Sequence, residues 1–561
     1  MALDDSQLDR RSFLKAAGGA AAAASIAGCT SFPGGQGGGG GKLLYARGDH
    51  PENYDPQQTT SGEVAKVTNQ IFSQLIQFQP GSGGQLGDGL AKEYSLEGTT
   101  ATLTLKEGIT FHDGSEFTAE DFRATVRRFT DKEYDYYLGD KNRSGYGPFT
   151  FGSWVKSIDA SNDYELKIEL NQQYAPFLRN LAMFCAAVLS KDQIESLGAN
   201  PDAQVELGTN PIGTGAFQMD ELDNANQRLR LTANGEYWGD GPNVDEVIFK
   251  TIKQNSTRAQ DIINGDSHIT DNLDSQSSQQ IQDSDSATLM SKDGINVGYM
   301  AMNQERREEF RNTKVRQAVS YAVNTKAIVD QIYQGFAKQA DQPLPPDVLG
   351  YNDSLSPYET DKEKAQSLLE EAGYGDGFEF ELATFSNPRG YNPSPVETAN
   401  QVKSDLEEIG LTVTINQFST FTSYLDYTDA GKHDACFLGW YTDNSDPDNF
   451  LYVLLDPQVE MDAVPDGQDW VSFDTEGYNT LNVAAWANAD FMELVREGQQ
   501  TYDEAKRKEL YTEANQIAHD EAPWVFIDYA ETLRGVNEAV DQESYTVSSV
   551  GGPFLNTVKL N

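Results

Sequence analysis

Cysteine, histidine and basic side chains are scarce in this chain, and no apolar run is long enough to cross a bilayer. Three cysteines in 561 residues cannot supply the disulfide framework that holds small secreted domains together. Cys185 lies in the apolar run Leu181-Ala182-Met183-Phe184-Cys185-Ala186-Ala187-Val188, and Cys436 in Cys436-Phe437-Leu438-Gly439-Trp440. Both read as small buried hydrophobes, and their remote settings argue against a disulfide between them. The five histidines stand at 50, 112, 268, 433 and 519 without metal-ligand spacing, so no metal site is expected. There is no Gly-x-Ser-x-Gly elbow, no His-Glu-x-x-His and no phosphate-cradling glycine loop, which weighs against a secreted hydrolase. No cofactor is implied.

Cations are the largest shortage. Against 87 Asp and Glu there are 42 Lys and Arg, a formal charge of −45. Such a surface repels nucleic acid and anionic headgroups, and excludes both as partners. Self-repulsion on this scale weakens a fold in ordinary salt. In near-molar salt the screening length falls to about 3 Å and the penalty largely disappears. The excess is spread along the chain, unlike an acidic tail, and aromatics are plentiful. A folded protein from a salt-loving source is the economical reading.

The N-terminus carries an address. Arg10-Arg11-Ser12-Phe13-Leu14-Lys15 precedes an alanine-rich stretch ending Ile26-Ala27-Gly28-Cys29. A paired arginine before a short apolar segment reads as a twin-arginine export signal. The small residues before Cys29 form a lipobox, predicting a signal over 1–28 and lipidation of Cys29. Pro33 and the glycine run to Gly41 make 29–41 a flexible tether. The expected location is the outer face of the cell membrane, touched only through the lipid.

Beyond the tether, strand and helix patterns interleave, so the class is α/β. Lys42–Ala46 reads as a first strand and Val64–Phe78 as a helix. Thr102–Leu105 and Tyr164–Leu170 alternate as strands do. Thr118 caps a helix running through Phe129. Arg316–Gln334 has the pattern of one long amphipathic helix, and Lys362–Ala372 of another. Strands at 378–382 and 411–415 flank a helix over 396–409, a βαβ unit. Asp113-Gly114 suits a turn needing positive φ, and Gly213-Thr214-Gly215 a close backbone approach. His112, lacking partner ligands, reads as a loop or satisfied histidine.

Five segments resemble the extracytoplasmic solute-binding proteins of peptide and nickel ABC importers (family 5). They are 103–122, containing Phe111-His112-Asp113-Gly114; Asn210-Pro211-Ile212-Gly213-Thr214-Gly215-Ala216-Phe217, continued by Asn234–Gly239; 314–324; 363–374; and Leu438-Gly439-Trp440-Tyr441-Thr442-Asp443-Asn444-Ser445-Asp446-Pro447-Asp448-Asn449-Phe450-Leu451. They stand in family order along nearly all the mature chain, with the closest likeness to the dipeptide-binding type. The resemblance implies a periplasmic-binding-protein-like α/β fold, two lobes closing around a hinge, with an extra inserted small domain. Lobe I would be assembled from 42–73, 214–297 and 513–561, the small domain from 74–213 and lobe II from 298–512.

The resemblance also implies a monomeric, non-enzymatic receptor that captures dipeptides or short oligopeptides for a permease with ATPase subunits. Another ligand, such as an oligosaccharide, haem or a nickel chelate, is the alternative within that role. In dipeptide-type members an arginine precedes a Tyr-Asn-Pro turn, and an aspartate follows the glycine-tryptophan strand end. Arg389-Gly390-Tyr391-Asn392-Pro393 and Gly439-Trp440-Tyr441-Thr442-Asp443 match those places. Arg389 is therefore assigned to the ligand carboxylate and Asp443 to its ammonium. Gly390 stands where those relatives usually carry proline, which predicts a looser loop. Trp440, Tyr441 and Phe421 are candidate pocket walls. Ser61 and Gly62 offer backbone groups from the opposite lobe. Asp446 and Asp448 are expected to shape the turn by Asx-type bonds.

Overall fold

The computed structural model describes residues 40–465 and 467–561. The signal 1–28, Cys29 and all but the last two residues of the 29–41 tether lie outside the described residues.

A mixed twelve-stranded sheet is the spine of the molecule. One half runs in the order Thr412–Phe418, Glu379–Phe385, Ala435–Tyr441, Asn296–Met302. The other half runs Ile269–Thr270, Lys42–Arg47, Glu246–Thr251, Arg228–Ala233, Phe217–Asp223. We refer to them as the lobe II and lobe I halves. Only the long strand Trp524–Asn537 belongs to both. Up to Ala530 it pairs with Asn296–Met302 and Ala337–Gln339, and from Glu531 onward with Ala287–Asp293. At this crossing the Asn296 side chain brackets Ala530: its Nδ2 donates to Ala530 O at 2.8 Å, and its Oδ1 accepts from Ala530 N at 2.9 Å. A side chain at Gly294 would meet Ala530 O at 2.1 Å, so the two crossing segments can approach this closely only without one. Two adjacent crossing segments are the strand-level form of a hinge.

The βαβ unit is present. Glu379–Phe385 and Thr412–Phe418 pair in parallel on either side of the helix Pro395–Glu407, with proline at the helix start, where no N–H is needed. The helix over 119–130 begins as expected, with the Asp121 carboxylate accepting from Thr118 N at 2.9 Å. Two expected helices are shorter than their patterns. The first stops at Ile71, and 76–78 is strand instead. Gly215 N takes Ile71 O at 2.8 Å, and side chains at Gly213 or Gly215 would strike that same carbonyl. The second breaks after Ala322. There Val323 turns extended and the Asn324 side chain caps Ala327 N, restarting the chain as a short turn of helix. Apolar periodicity continues through both breaks, so the pattern alone could not locate them.

A four-stranded antiparallel sheet, in the order Ala91–Glu97, Thr100–Leu105, Glu165–Leu170, Val155–Asn162, stands apart from the spine. Its core residues, among them Leu103, Phe122 and Ile168, are continuous with Met300, Phe437 and Trp524 of lobe II. Lobe I keeps a separate core around Leu43, Val67, Phe249 and Leu555. The same module is tied to lobe I by Arg128, whose guanidinium meets Asp55 at 2.6 Å with both side chains fully buried. The module therefore touches both lobes. His112 works within it as a backbone clip, Nδ1 accepting from Gly213 N and Nε2 lying 3.1 Å from Gly215 O. Cys185 and Cys436 are buried and unbonded to each other. Among the described residues no helix is long and apolar enough to cross a membrane.

Candidate functional site

The strand Ala435–Tyr441 pairs antiparallel with Asn296–Met302, ends at Tyr441 and turns into the helix Asp448–Leu455. Side chains within the turn supply the hydrogen bonds its backbone lacks. Asn449 Oδ1 accepts from Trp440 Nε1 at 3.0 Å, Thr442 Oγ1 at 3.2 Å and Asp443 N at 2.9 Å. Thr442 Oγ1 in turn accepts from Ser445 N at 2.7 Å. Asp446 Oδ1 accepts from Asp448 N, the expected Asx bond. Asp446 also carries a buried bidentate pair with Arg507, at 2.7 and 3.0 Å, the planar geometry for which arginine is suited. The Asp448 side chain instead takes Gln499 and Tyr174, and burial pushes its carboxyl up to about 7.

Asp443 emerges from this turn half-buried. Its Oδ1 accepts from the Tyr146 hydroxyl at 2.6 Å, while its Oδ2 has no partner among the described residues. Burial pushes its carboxyl up to about 6, with Tyr146 and Asn449 pulling the other way. Tyr146 comes from the four-stranded module, as do Asn180, bonded to Asn444, and Tyr174, bonded to Asp448. With Arg179, whose Nη1 donates to Asn444 O at 3.3 Å, four side chains of the module hold the turn from the other side.

Arg389 lies on a loop closed by two bonds, Arg389 N to Asn392 O and Asn392 N to Arg389 O, both 2.9 Å. Its guanidinium sits 3.7 Å over the Phe421 ring, a cation–π contact. It has no carboxylate within ion-pair reach among the described residues, and its Nε lacks a partner. The expectation of a looser loop at Gly390 is corrected here. A Cβ at 390 would stand 1.9 Å from the Tyr441 hydroxyl, so glycine makes room for Tyr441, and the paired bonds hold the loop. Tyr391 is buried beside it, its ring 6.3 Å from that of Tyr441 and packed where Gly439 has no side chain.

Tyr441 therefore joins the two anchors: it meets the Arg389 loop and stands two residues before Asp443. Phe421 lies against Arg389. Trp440 directs its indole N–H to Asn449 and braces the turn. Ser61 and Gly62 stand on lobe I, where Ser61 Oγ accepts from Glu63 N as the cap of the helix Gly62–Ile71 and Gly62 is exposed. No hydrogen bond links either residue to the Asp443 or Arg389 loops. Sequence reasoning missed Tyr146, Asn449 and Arg507. The one available signal was Gly145-Tyr146-Gly147-Pro148, an aromatic presented between glycines.

Residues 85–462 match the family described as bacterial extracellular solute-binding proteins, family 5 middle. The chain belongs to that family. Residues 7–27 match the twin-arginine translocation pathway signal sequence, where Arg10 and Arg11 stand. Among relatives of this family 5 protein, the dipeptide-binding protein of Escherichia coli K12 is 30% identical over 92% of this chain and 94% of its own. The ABC transporter-associated periplasmic binding protein from Helicobacter pylori, solved with the peptide STSA, superposes with a TM-score of 0.79 at 30% identity, covering 93% of this chain and 98% of that one. The dipeptide-binding protein of Pseudoalteromonas sp. SM9913, solved with Met-Leu, gives 0.79 at 26%, covering 93% and 100%.

Proposed function

We propose that this family 5 protein is the binding component of an ABC importer. It captures dipeptides or short oligopeptides and passes them to a permease driven by ATPases, performing no chemistry itself. The observation that carries this reading is the pairing of Asp443 and Arg389. They are half-buried groups of opposite charge on loops joined by Tyr441, and each keeps a polar atom without a partner. A buried charge is stable only when paired. A free peptide supplies both complements, an ammonium for Asp443 and a carboxylate for the arginine fork. Phe421 and Tyr441 wall the site and Trp440 supports it. Ser61 and Gly62 supply lobe I backbone on closure. Lobe I comprises 42–73, 214–297 and 513–561, except that the strand Trp524–Asn537 lies in the lobe II half of the sheet up to Ala530, with 74–213 inserted and 298–512 forming lobe II. The protein acts as a monomer, held outside the membrane by a lipid on Cys29, in a high-salt environment that screens its charge.

Calorimetric titration of the leaderless protein in molar KCl, with a dipeptide pool, an oligosaccharide set and a nickel–histidine chelate, tests the ligand class. Saturable heat from the dipeptides alone is expected. Binding of sugar or chelate in their place would contradict the peptide assignment and leave the transport role standing.

A further inference from the structure

Tyr391 and Asp528 share the space above one glycine. In the sheet Gly298 stands between Gly439 on one side and Asp528 on the other. A Cβ at Gly298 would lie 2.2 Å from Asp528 Oδ1 and 2.6 Å from Tyr391 O. A carboxyl oxygen and a backbone carbonyl oxygen therefore converge where that side chain is missing. A Cβ at Gly439 would lie 2.3 Å from Tyr391 Cγ. Tyr391 thus rests on both glycines, its ring over Gly439 and its carbonyl over Gly298.

Neither oxygen has a donor. Asp528 is fully buried and both its carboxyl oxygens lack partners among the described residues. Tyr391 O accepts no backbone hydrogen bond there either. Gln339, opposite Asp528 on its other side, gives its amide to Thr325 Oγ1, and the next residue, Lys338, is held by Asp293. Arg389, the cation of the Tyr391 loop, is stacked on Phe421. The titratable groups that feel Asp528 are the phenols of Tyr333, Tyr391 and Tyr441. Two acceptors facing each other in a dry interior repel, and an unpaired buried carboxylate is costly. A proton on Asp528 relieves both by turning the contact into a hydrogen bond.

The peptide unit 391–392 ties this contact to Arg389. Its C=O lies over Gly298 beside Asp528, while its N–H, on Asn392, donates to Arg389 O at 2.9 Å. The unit is planar, so a push on the carbonyl is delivered to the bond that closes the Arg389 loop.

We propose that Asp528 is a positioning residue for ligand binding: protonated, it donates to Tyr391 O and so holds the Arg389 loop in the shape that meets the ligand carboxylate. This rests on the peptide reading above. Ionisation of Asp528 replaces the bond by repulsion and loosens the loop.

The test titrates Ala-Ala and its C-terminal amide in molar KCl at pH 6 and pH 9, on the leaderless protein, Asp528→Asn and Asp528→Leu. Asparagine keeps a donor that does not titrate, and leucine keeps the volume without a donor. At pH 6 Asp528→Asn should bind Ala-Ala within about twofold of native, and Asp528→Leu about tenfold more weakly, as one unsatisfied buried acceptor implies. The amide, which offers Arg389 no charge, should weaken by less than about threefold in Asp528→Leu. General damage to the fold would weaken both ligands alike. From pH 6 to pH 9 the native protein should lose affinity for Ala-Ala relative to Asp528→Asn. The peptide ammonium also titrates in this range, but equally against both proteins, and cancels in the ratio. Should Asp528→Leu not fold, that ratio alone decides. Native affinity in Asp528→Leu, equal weakening of both ligands in it, or a native-to-Asp528→Asn ratio that does not move with pH would overturn the assignment. Failure of Ala-Ala to bind the native protein would sink the peptide reading itself, and this inference with it.

Discussion

The hydroxyl of Tyr146 donates to Asp443 Oδ1 at 2.6 Å across 297 residues of sequence. The bond gives the four-stranded module a hand on the residue proposed to receive the ligand ammonium, and it leaves Oδ2 free. Tyr146→Phe removes a donor that favours the ionised form, so the Asp443 carboxyl should rise above about 6. The pH below which peptide affinity falls should move up with it. Titrations between pH 5 and 8 on both proteins read the shift, and an unchanged profile would break the link between the two residues.

Asp443 also sets a sign for stability. Its folded carboxyl, at about 6, lies above the ordinary value, so the native state binds a proton that the unfolded chain has released. Stability of the ligand-free protein is therefore lost as pH rises from about 4 to about 6. Peptide affinity runs the opposite way, since only the carboxylate holds an ammonium. Asp443→Asn should flatten both dependences in that window, and thermal melts with and without dipeptide would show it.

Asp528, on the long strand, is fully buried, and both its carboxylate oxygens lack partners among the described residues. Burial raises it well above the usual range. Burial disfavours its ionised form, so its cost to the fold grows as pH rises above the ordinary carboxyl value. Asp528→Asn should be more stable than the native protein at alkaline pH, by about 1–3 kcal/mol, the scale of one buried polar group, with the gain shrinking toward pH 4. A denaturant series at pH 5 and pH 9 in fixed salt checks it. A variant equally destabilised at both would contradict the neutral-acid account.

Removing one member of the Arg507–Asp446 pair strands the other in the interior. Arg507→Met should lose about 3–5 kcal/mol of stability and weaken peptide binding, because Asp446 shapes the turn that presents Asp443. Retention of native stability would show the pair to be dispensable.

Much of this was legible in the sequence, and the reasons differ by element. The Arg389 and Asp443 loops carry local motifs, and the βαβ strands carry clean alternation, so both could be read. The ends of the helices at Ile71 and Ala322 could not, because a remote glycine pair and a restarting asparagine cap decide them while the apolar period runs on. Gly390 was misread for a related reason. Whether a glycine loosens a loop or makes space depends on what fills the space, and Tyr441 lies 51 positions away. Tyr146 and Arg507 reach the site through tertiary packing alone.

Gly390 and Tyr441 should behave as a matched pair. Gly390→Ala places a methyl group where the Tyr441 hydroxyl stands, and should weaken dipeptide binding about tenfold or more, as overpacking of 1–3 kcal/mol implies. Adding Tyr441→Ala should recover part of that loss. Additive losses in a double-mutant cycle would show the two sites to be independent.

The central claim is that Asp443 recognises a free ammonium. Calorimetric titration of Ala-Ala and N-acetyl-Ala-Ala, against the native protein and Asp443→Asn in molar KCl, tests it most directly. The native protein should bind the free dipeptide at least about 100-fold tighter than the acetylated one, as expected for a desolvated charge pair. In Asp443→Asn the two peptides should differ by no more than about threefold. Equal affinity of the native protein for both peptides, or full discrimination retained in Asp443→Asn, would contradict the account.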